Sequence, residues 1–259
     1  MWIDSHCHLD FEPLNGNINS VLNLCTKNDI MCIIVPSIKP DNLNKVIEIS
    51  HQHKQCFYAL GFHPMYVKDL SDNDLSLLER YIKNFNPIAV GEIGLDLFAS
   101  KDNLERQEFF FSQQLLLAKK YDLPVILHVR SAIDIILKYL RRYNIKGGVA
   151  HAFNGSIQQA EQFIKMDFKL GFGGAMTYPR ATHLQKLAKE IPIDSIVLET
   201  DSPDMPPFWR KNNGFNQPSE IANIGSFLAK LRGSNPLIIA ENIRLNTQQV
   251  FPRLGELCT

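Results

Sequence analysis

A chain of 259 residues that is 45% hydrophobic and 21% charged has ordinary globular composition, with apolar material for one sizeable core. Its formal net charge of +0 excludes a global basic field, so any anionic partner must be held by local charge. The five cysteines (Cys7, Cys25, Cys32, Cys56 and Cys258) are odd in number and form no C-x-x-C pair, which fits a reduced cytoplasmic setting better than a disulfide framework.

The opening segment MWIDSHCHLD has neither the basic head nor the apolar stretch of a signal peptide. No run approaches the roughly 20 apolar residues that cross a bilayer, so a soluble, cytoplasmic protein is expected, with no membrane partner. Strands are predicted at 2–4, 31–35, 57–60, 88–90, 125–127, 148–150, 168–170 and 196–198. Most are continuous apolar runs, as parallel strands covered on both faces require. Helices fall between them. Leu75, Leu78 and Ile82 form a stripe after Ser71, and Leu104, Phe111, Leu115 and Ala118 line a longer helix that ends before Pro124. Ile133, Ile136, Leu137 and Leu140 follow a capping-box-like Ser131-x-x-Asp134. Such stripes are read as core. The polar, Pro-rich stretch 204–217 reads as the last strand-to-helix loop. Eight strands alternating with helices over about 250 residues predict a (β/α)8 TIM barrel in one domain, 1–259. An open doubly wound sheet is the competing arrangement.

Barrel enzymes build their sites at the carboxyl ends of the strands. His6 and His8 follow the first predicted strand, His63 the third, Glu92 the fourth, His128 the fifth, His151 the sixth and Asp201 the last. Singly, each has a structural reading: a hydrogen-bonded core histidine, or an acid that is solvated or caps a helix. That reading gives no reason for them to share one rim, whereas a metal site does. A second H-x-H, His51 and His53, ends a helix ahead of a strand and so belongs on the opposite face, where the helix dipole accounts for it. His183 is likewise read as structural. In extended backbone alternate side chains share a face, so His6 and His8 converge while Cys7 points away.

In order along the chain, D-S-H-C-H-L-D, G-F-H-P, G-E-I-G-L-D, L-H-V-R, H-A-F-N-G and E-T-D-S-P resemble the TatD family of metal-dependent hydrolases, and within it the YjjV-like branch. The resemblance runs from residue 3 to at least Phe251, through G-F-G-G-A-M-T-Y-P-R-A to N-T-Q-Q-V-F. It implies a TIM barrel of the metal-dependent hydrolase type, related to the amidohydrolases, and a metal-dependent deoxyribonuclease activity on the 3′ end of single-stranded DNA or another phosphodiester. It also implies two divalent metal ions. His6, His8, Glu92 and Asp201 would serve one, and Glu92 would bridge to a second held by His128 and His151. Ala152 stands where the family often has Cys, and Ser202 where it often has Ala. Neither departure removes a ligand; both bear on substrate preference.

Two divalent ions among neutral imidazoles and two carboxylates make a positive pocket in a neutral chain, suited to a phosphodiester. They activate a shared water and stabilise the entering and leaving oxygens. Asp201 is the candidate acceptor of the water proton, with Glu92 as the other catalytic carboxylate. Arg130 can fork onto phosphate oxygens or form a surface ion pair. His63 is a candidate donor to phosphate or leaving oxygen, and Tyr178 and Arg180 are candidates on a substrate-facing loop. Asp96 stands either behind a ligand or at a helix cap. Phe208, Trp209 and Phe215 either stack on bases or pack their loop down. Imidazole suits Zn²⁺, Mn²⁺ or Fe²⁺, and Mg²⁺ prefers oxygen, while the family resemblance points to Mg²⁺; the cofactor expectation is Mg²⁺, Mn²⁺ or Zn²⁺. No obligate protein partner is inferred. The alternative activity is hydrolysis of a small ester, lactone or amide on the same centre. Many amidohydrolase barrels bridge their metals with a modified lysine, where this chain offers Glu92. A catalytically dead, DNA-binding barrel is disfavoured by the complete ligand set.

Overall fold

Short apolar runs and amphipathic stretches alternate because each parallel strand needs a helix to cover its outer face. The computed structural model describes residues 1–99, 101–145, 147–212 and 214–257. The strands are β1 (Trp2–Asp4), β2 (Ile30–Pro36), β3 (Cys56–Leu60), β4 (Ala89–Asp96), β5 (Val125–Arg130), β6 (Gly148–Ala150), β7 (Phe168–Phe172) and β8 (Ile196–Leu198). Helices α1 (Ile18–Lys27), α2 (Leu43–Gln52), α3 (Asp72–Phe85), α4 (Leu104–Lys120), α5 (Ile133–Tyr143), α6 (Ile157–Ile164) and α7 (Thr182–Glu190) connect successive strands. After β8 come α8 (Ile221–Arg232), α9 (Pro236–Val250) and α10 (Pro252–Leu257).

The strands pair in parallel in the order β1 to β8. Ser5 N–H donates to Leu198 O at 3.0 Å across the seam between the first and last strands. This nearly closed ring is the (β/α)8 TIM barrel expected from the sequence, and an open doubly wound sheet is ruled out. All eight predicted strands form. The largest differences are in β4 and β5, which continue to Asp96 and Arg130, residues paired with each other in the register. Glu92 and His128 therefore sit within strands rather than after them.

Alternation along the strands divides the core. Ile3, Ile34, Ala59, Ile126, Val149 and Val197 belong to one buried cluster, joined by Val250, Phe251 and Leu254 from the C-terminal helices. The complementary positions, such as Val125, Leu127, Ile196 and Leu198, pack with the helix stripes in the larger cluster. Ser71 and Asp74 form a capping box at the start of α3, and Ser156 and Gln159 another at α6. The box expected at Ser131 does not form. Because β5 runs to Arg130, the chain turns sharply there, with Ser131 at φ 56°, and Ala132 becomes the N-cap. An N-cap takes an extended backbone, which Ser131 does not have. Cys7, Cys25 and Cys56 are buried free thiols. Cys32 is disulfide-bonded, so the expectation of an entirely reduced set fails there, and Cys258 lies outside the described residues. No described helix is long and apolar enough to cross a membrane.

The outer face of β1 depends on a close approach. A methyl group on Gly225 of α8 would lie 2.2 Å from the Trp2 ring. Gly225→Ala is therefore expected to destabilise the fold by about 1–3 kcal/mol through overpacking. Urea denaturation followed by tryptophan fluorescence checks this; an unchanged midpoint would show that Trp2 does not hold α8.

Candidate metal centre

Six strands deliver seven polar side chains to the carboxyl end of the barrel. His128 follows Ile126 by two residues on β5 and so shares its inward face. His151 stands directly after β6, Asp201 three residues after β8, and His63 three after β3. Glu92, on β4, is positioned by its own backbone, whose N–H donates to Ser37 O at 2.9 Å. His6, His8, His63, Glu92 and His151 are all buried.

Glu92 lies at the middle. Its Oε2 is 3.1 Å from His6 Nε2 and 3.7 Å from His8 Nε2. Its Oε1 is 2.9 Å from His128 Nδ1 and 3.4 Å from His63 Nε2. Asp201 closes the first group, with Oδ1 at 3.7 Å from His6 Nε2 and 3.6 Å from His8 Nε2. The Nε2 atoms of His6 and His8 approach to 3.3 Å, and the His151 ring stacks on His6 at 3.8 Å between centroids. Among the described residues, three groups have donor atoms within 4.8 Å of one another: His6, His8 and Asp201; His6, Glu92 and His151; and His63, Glu92 and His128. The first half of the expected set is thus brought together. The second is divided differently: His63 stands with Glu92 and His128, while His151 stands with His6 and Glu92.

The electrostatics favour a cation. Burial alone would raise the Glu92 carboxyl, but the surrounding imidazoles, His63 and His6 foremost, hold it well below the usual range. Asp201 is lowered by His151 against the same penalty. Burial disfavours charge on His151, yet Glu199 and Asp201 outweigh it and raise its pKa well above the ordinary value. The field at His151 is therefore negative, and a divalent ion would occupy it in place of a proton, while burial lowers His6 and His63 and so favours their neutral, ligating form. The donor set of imidazole nitrogens and carboxylate oxygens, with no thiolate, suits Zn²⁺, Mn²⁺ or Fe²⁺. Cys7 takes no part: it is fully buried in the outer core, with Sγ 3.8 Å from Ser202 O.

The centre lies in an open cleft of about 1020 Å³ whose lining includes Tyr66, Phe98, Arg130 and Met205. Arg130 is half exposed, packs over the Phe98 ring at 4.1 Å and lies 3.9 Å from Asp96. Of the two roles the sequence left open, Asp96 stands behind a candidate ligand rather than at a helix cap, since α4 has Asn103 as its N-cap. Its Oδ1 accepts from the N–H groups of Phe98 and Ala99 at 2.9 and 2.8 Å, and its Oδ2 lies 3.1 Å from His128 Nε2. Burial would raise Asp96, but the His128 and backbone hydrogen bonds bring it down to about 2. Two residues escaped sequence reasoning. Buried Glu199 faces His151 Nδ1 at 3.1 Å, and its spacing of two from Asp201 was the available signal. Asp4, bonded to Thr200, carried no signal beyond its place in the first motif. His51 and His53 end α2 away from the cleft, and His183 bonds Gly155 O at 2.9 Å.

A (β/α)8 barrel with imidazoles and carboxylates gathered at the carboxyl ends of its strands defines a metal-dependent hydrolase. The family model described as TatD related DNase matches residues 3–252, and the chain belongs to the TatD family. It is 38% identical to the metal-dependent hydrolase YjjV of Escherichia coli K12, over 96% of this chain and 97% of that protein. A metal-dependent hydrolase of Haemophilus influenzae is 34% identical, with 96% and 99% covered. The crystal structure of YjjV superposes with a TM-score of 0.93 over 97% of this chain and 98% of its own.

Tyr178 and Arg180, expected on a substrate-facing loop, are not among the described residues that line the cleft. Tyr178 donates its hydroxyl to Pro206 O at 3.1 Å and packs edge-on against Phe208, and Arg180 is exposed. These contacts bind two loops to each other. The last loop is also pinned by Glu220, which accepts from Trp209 Nε1 at 2.8 Å, Arg210 at 3.0 Å and Asn223 at 3.0 Å. Burial raises Glu220, but these donors outweigh it and hold it below its ordinary 4.5. A depressed folded-state pKa gives stability that is present above the unfolded value and is lost as pH falls through the folded one. Glu220→Gln should therefore lower Tm at neutral pH, by the equivalent of about 1 kcal/mol, with the gap closing in acid. Thermal melts across pH check this, and a gap independent of pH would contradict it.

Proposed function

We propose that this TatD-family hydrolase cleaves phosphodiester bonds of DNA, trimming single strands from the 3′ end, with two divalent ions that share Glu92. The observation that carries this reading is the orientation of Glu92: its two oxygens face two different sets of imidazoles, as a bridging carboxylate requires. His6, His8 and Asp201 complete one set. The second is drawn from His128 with the flanking His63 and His151. When bound, the ions supply Lewis acidity, making a water nucleophilic and stabilising charge on the entering and leaving oxygens.

The protein groups supply the rest. Asp201 is held as a carboxylate by His151, so it is ready to accept the water proton at neutral pH. Arg130, half exposed at the cleft, offers a planar fork to the non-bridging phosphate oxygens. His63, beside Glu92 at the cleft wall, is placed to donate to a phosphate or leaving oxygen where it does not serve as a ligand. The family's description as a DNase supports DNA as the substrate class.

A 3′-labelled oligonucleotide incubated with Mg²⁺ or Mn²⁺ tests the reading. Wild type should shorten it from the labelled end, and Asp201→Asn and His128→Ala should fall to background. Equal cleavage by all three would mean a contaminant, and faster turnover of a lactone would assign the centre to another substrate. Separately, Arg130→Ala should lower kcat/KM by roughly 10- to 100-fold, the value of about 1.5–3 kcal/mol for a charged hydrogen bond. An unchanged kcat/KM would place Arg130 outside the substrate site.

A further inference from the structure

Two buried carboxylates outside the candidate ligand groups are built on one plan. Asp96 uses Oδ1 to accept the N–H groups of Phe98 and Ala99, leaving Oδ2 3.1 Å from His128 Nε2. Glu199 uses Oε1 to accept Ala152 N–H at 2.6 Å, leaving Oε2 3.1 Å from His151 Nδ1. In each case one oxygen is anchored by backbone and the other faces a histidine on the nitrogen turned away from the centre. The opposite nitrogen of His128 faces Glu92, and that of His151 faces Asp201. The contact between His151 and Glu199 is close but out of line, so neither atom has a formed hydrogen bond, and neither has a competing partner. His6 and His8 lack any such support: their Nδ1 atoms have no partner.

Both carboxylates are fixed in place. Gln107 of α4 brackets the Asp96 backbone, accepting its N–H at 2.8 Å and donating to its carbonyl at 3.2 Å. Glu199 occupies space that only a glycine leaves free, since a methyl group on Gly171 would lie 2.2 Å from its Oε2.

We propose that Asp96 and Glu199 are positioning residues that set the tautomers of His128 and His151, so that each imidazole turns a lone pair toward the centre. A carboxylate is an acceptor only, so it draws the ring proton to the nitrogen it faces and frees the other. The inference rests on the metal-binding part of the reading above and is independent of the DNA part.

The anchoring makes the test sharp. In Asp96→Asn or Glu199→Gln the amide oxygen must stay with the backbone N–H groups, so the NH2 group faces the imidazole. That donor forces the ring proton to the opposite nitrogen, where it occupies the lone pair that would hold an ion. The full-length protein with ¹⁵N-labelled histidine, recorded at alkaline pH where the rings are neutral, should show the proton of His151 on Nδ1 and that of His128 on Nε2. Each should move to the other nitrogen in the matching variant. Calorimetric titration with Mn²⁺ alone should show affinity for at least one ion falling about 10- to 100-fold in each variant. Unmoved tautomers, or wild-type affinity in both variants, would overturn the proposal. Should one variant fail to fold, the other decides alone, because Asp96 ends β4, Glu199 follows β8, and the two obey the same logic. Wild type that binds Mn²⁺ but leaves DNA intact would remove the nuclease reading and leave this one standing.

Discussion

Everything at the carboxyl end of the barrel depends on a carboxylate that ought not to be there. Glu92 is almost wholly buried, and a charge withdrawn from water costs several kcal/mol unless it is compensated. Four imidazoles compensate it, two on each oxygen, and their approach is what keeps it ionised. The compensation is incomplete in one respect. The Nε2 atoms of His6 and His8 face each other at 3.3 Å while both Nδ1 atoms lack partners. Two ring nitrogens converging beside two carboxylates, with no partner behind either ring, are a poor arrangement for a core and a good one for a cation. The chemistry of the site and the stability of the barrel end are therefore a single problem.

The fold solves it by convergence. A closed parallel sheet brings the ends of distant strands to one ring, so residues up to 195 positions apart, His6 and Asp201, can share an ion. At the other end the same sheet is filled with aliphatic side chains and Phe251. The two ends of each strand thus obey different rules. Ile126 and His128 share one face of β5, the first as packing and the second as a candidate ligand.

This division explains what was legible in the sequence. Strands such as Trp2–Asp4, Gly148–Ala150 and Ile196–Leu198 stood out because both their faces are covered, which leaves continuous apolar runs. The rim histidines stood out because polar residues directly after such runs have no packing role. Where a strand continues past its apolar segment, as β4 and β5 do, the signal fades, and its end was placed too early. The grouping around Glu92 was not legible either. Whether His63 or His151 stands with His128 depends on side-chain directions at the rim, which sequence order does not encode. Tyr178 and Arg180 sit in a motif that suggests a substrate loop, yet that loop is committed to the one carrying Phe208. Glu199 was hidden for a different reason: a single acid beside a threonine and another acid reads as part of a ligand motif, and only the void left by Gly171 shows where it points.

Backbone strain lies at the same places. Ala152 and Asp201 are held at φ 45° and 56°, a left-handed conformation that costs a non-glycine residue roughly 1–2 kcal/mol. Each follows or forms part of the candidate centre, and each has its N–H tied down: Ala152 to Glu199 at 2.6 Å, Asp201 to His6 O at 2.9 Å. The bond to Glu199 is charge-assisted and so is strong enough to offset a cost of that size. Glu199 therefore stabilises the turn after His151 with one oxygen and faces the imidazole with the other. The turn and the ring cannot relax independently. A residue at position 152 that preferred another backbone shape would be felt at His151 without touching it, which is how a departure from the family's usual Cys at Ala152 can matter while the ligand set stays whole.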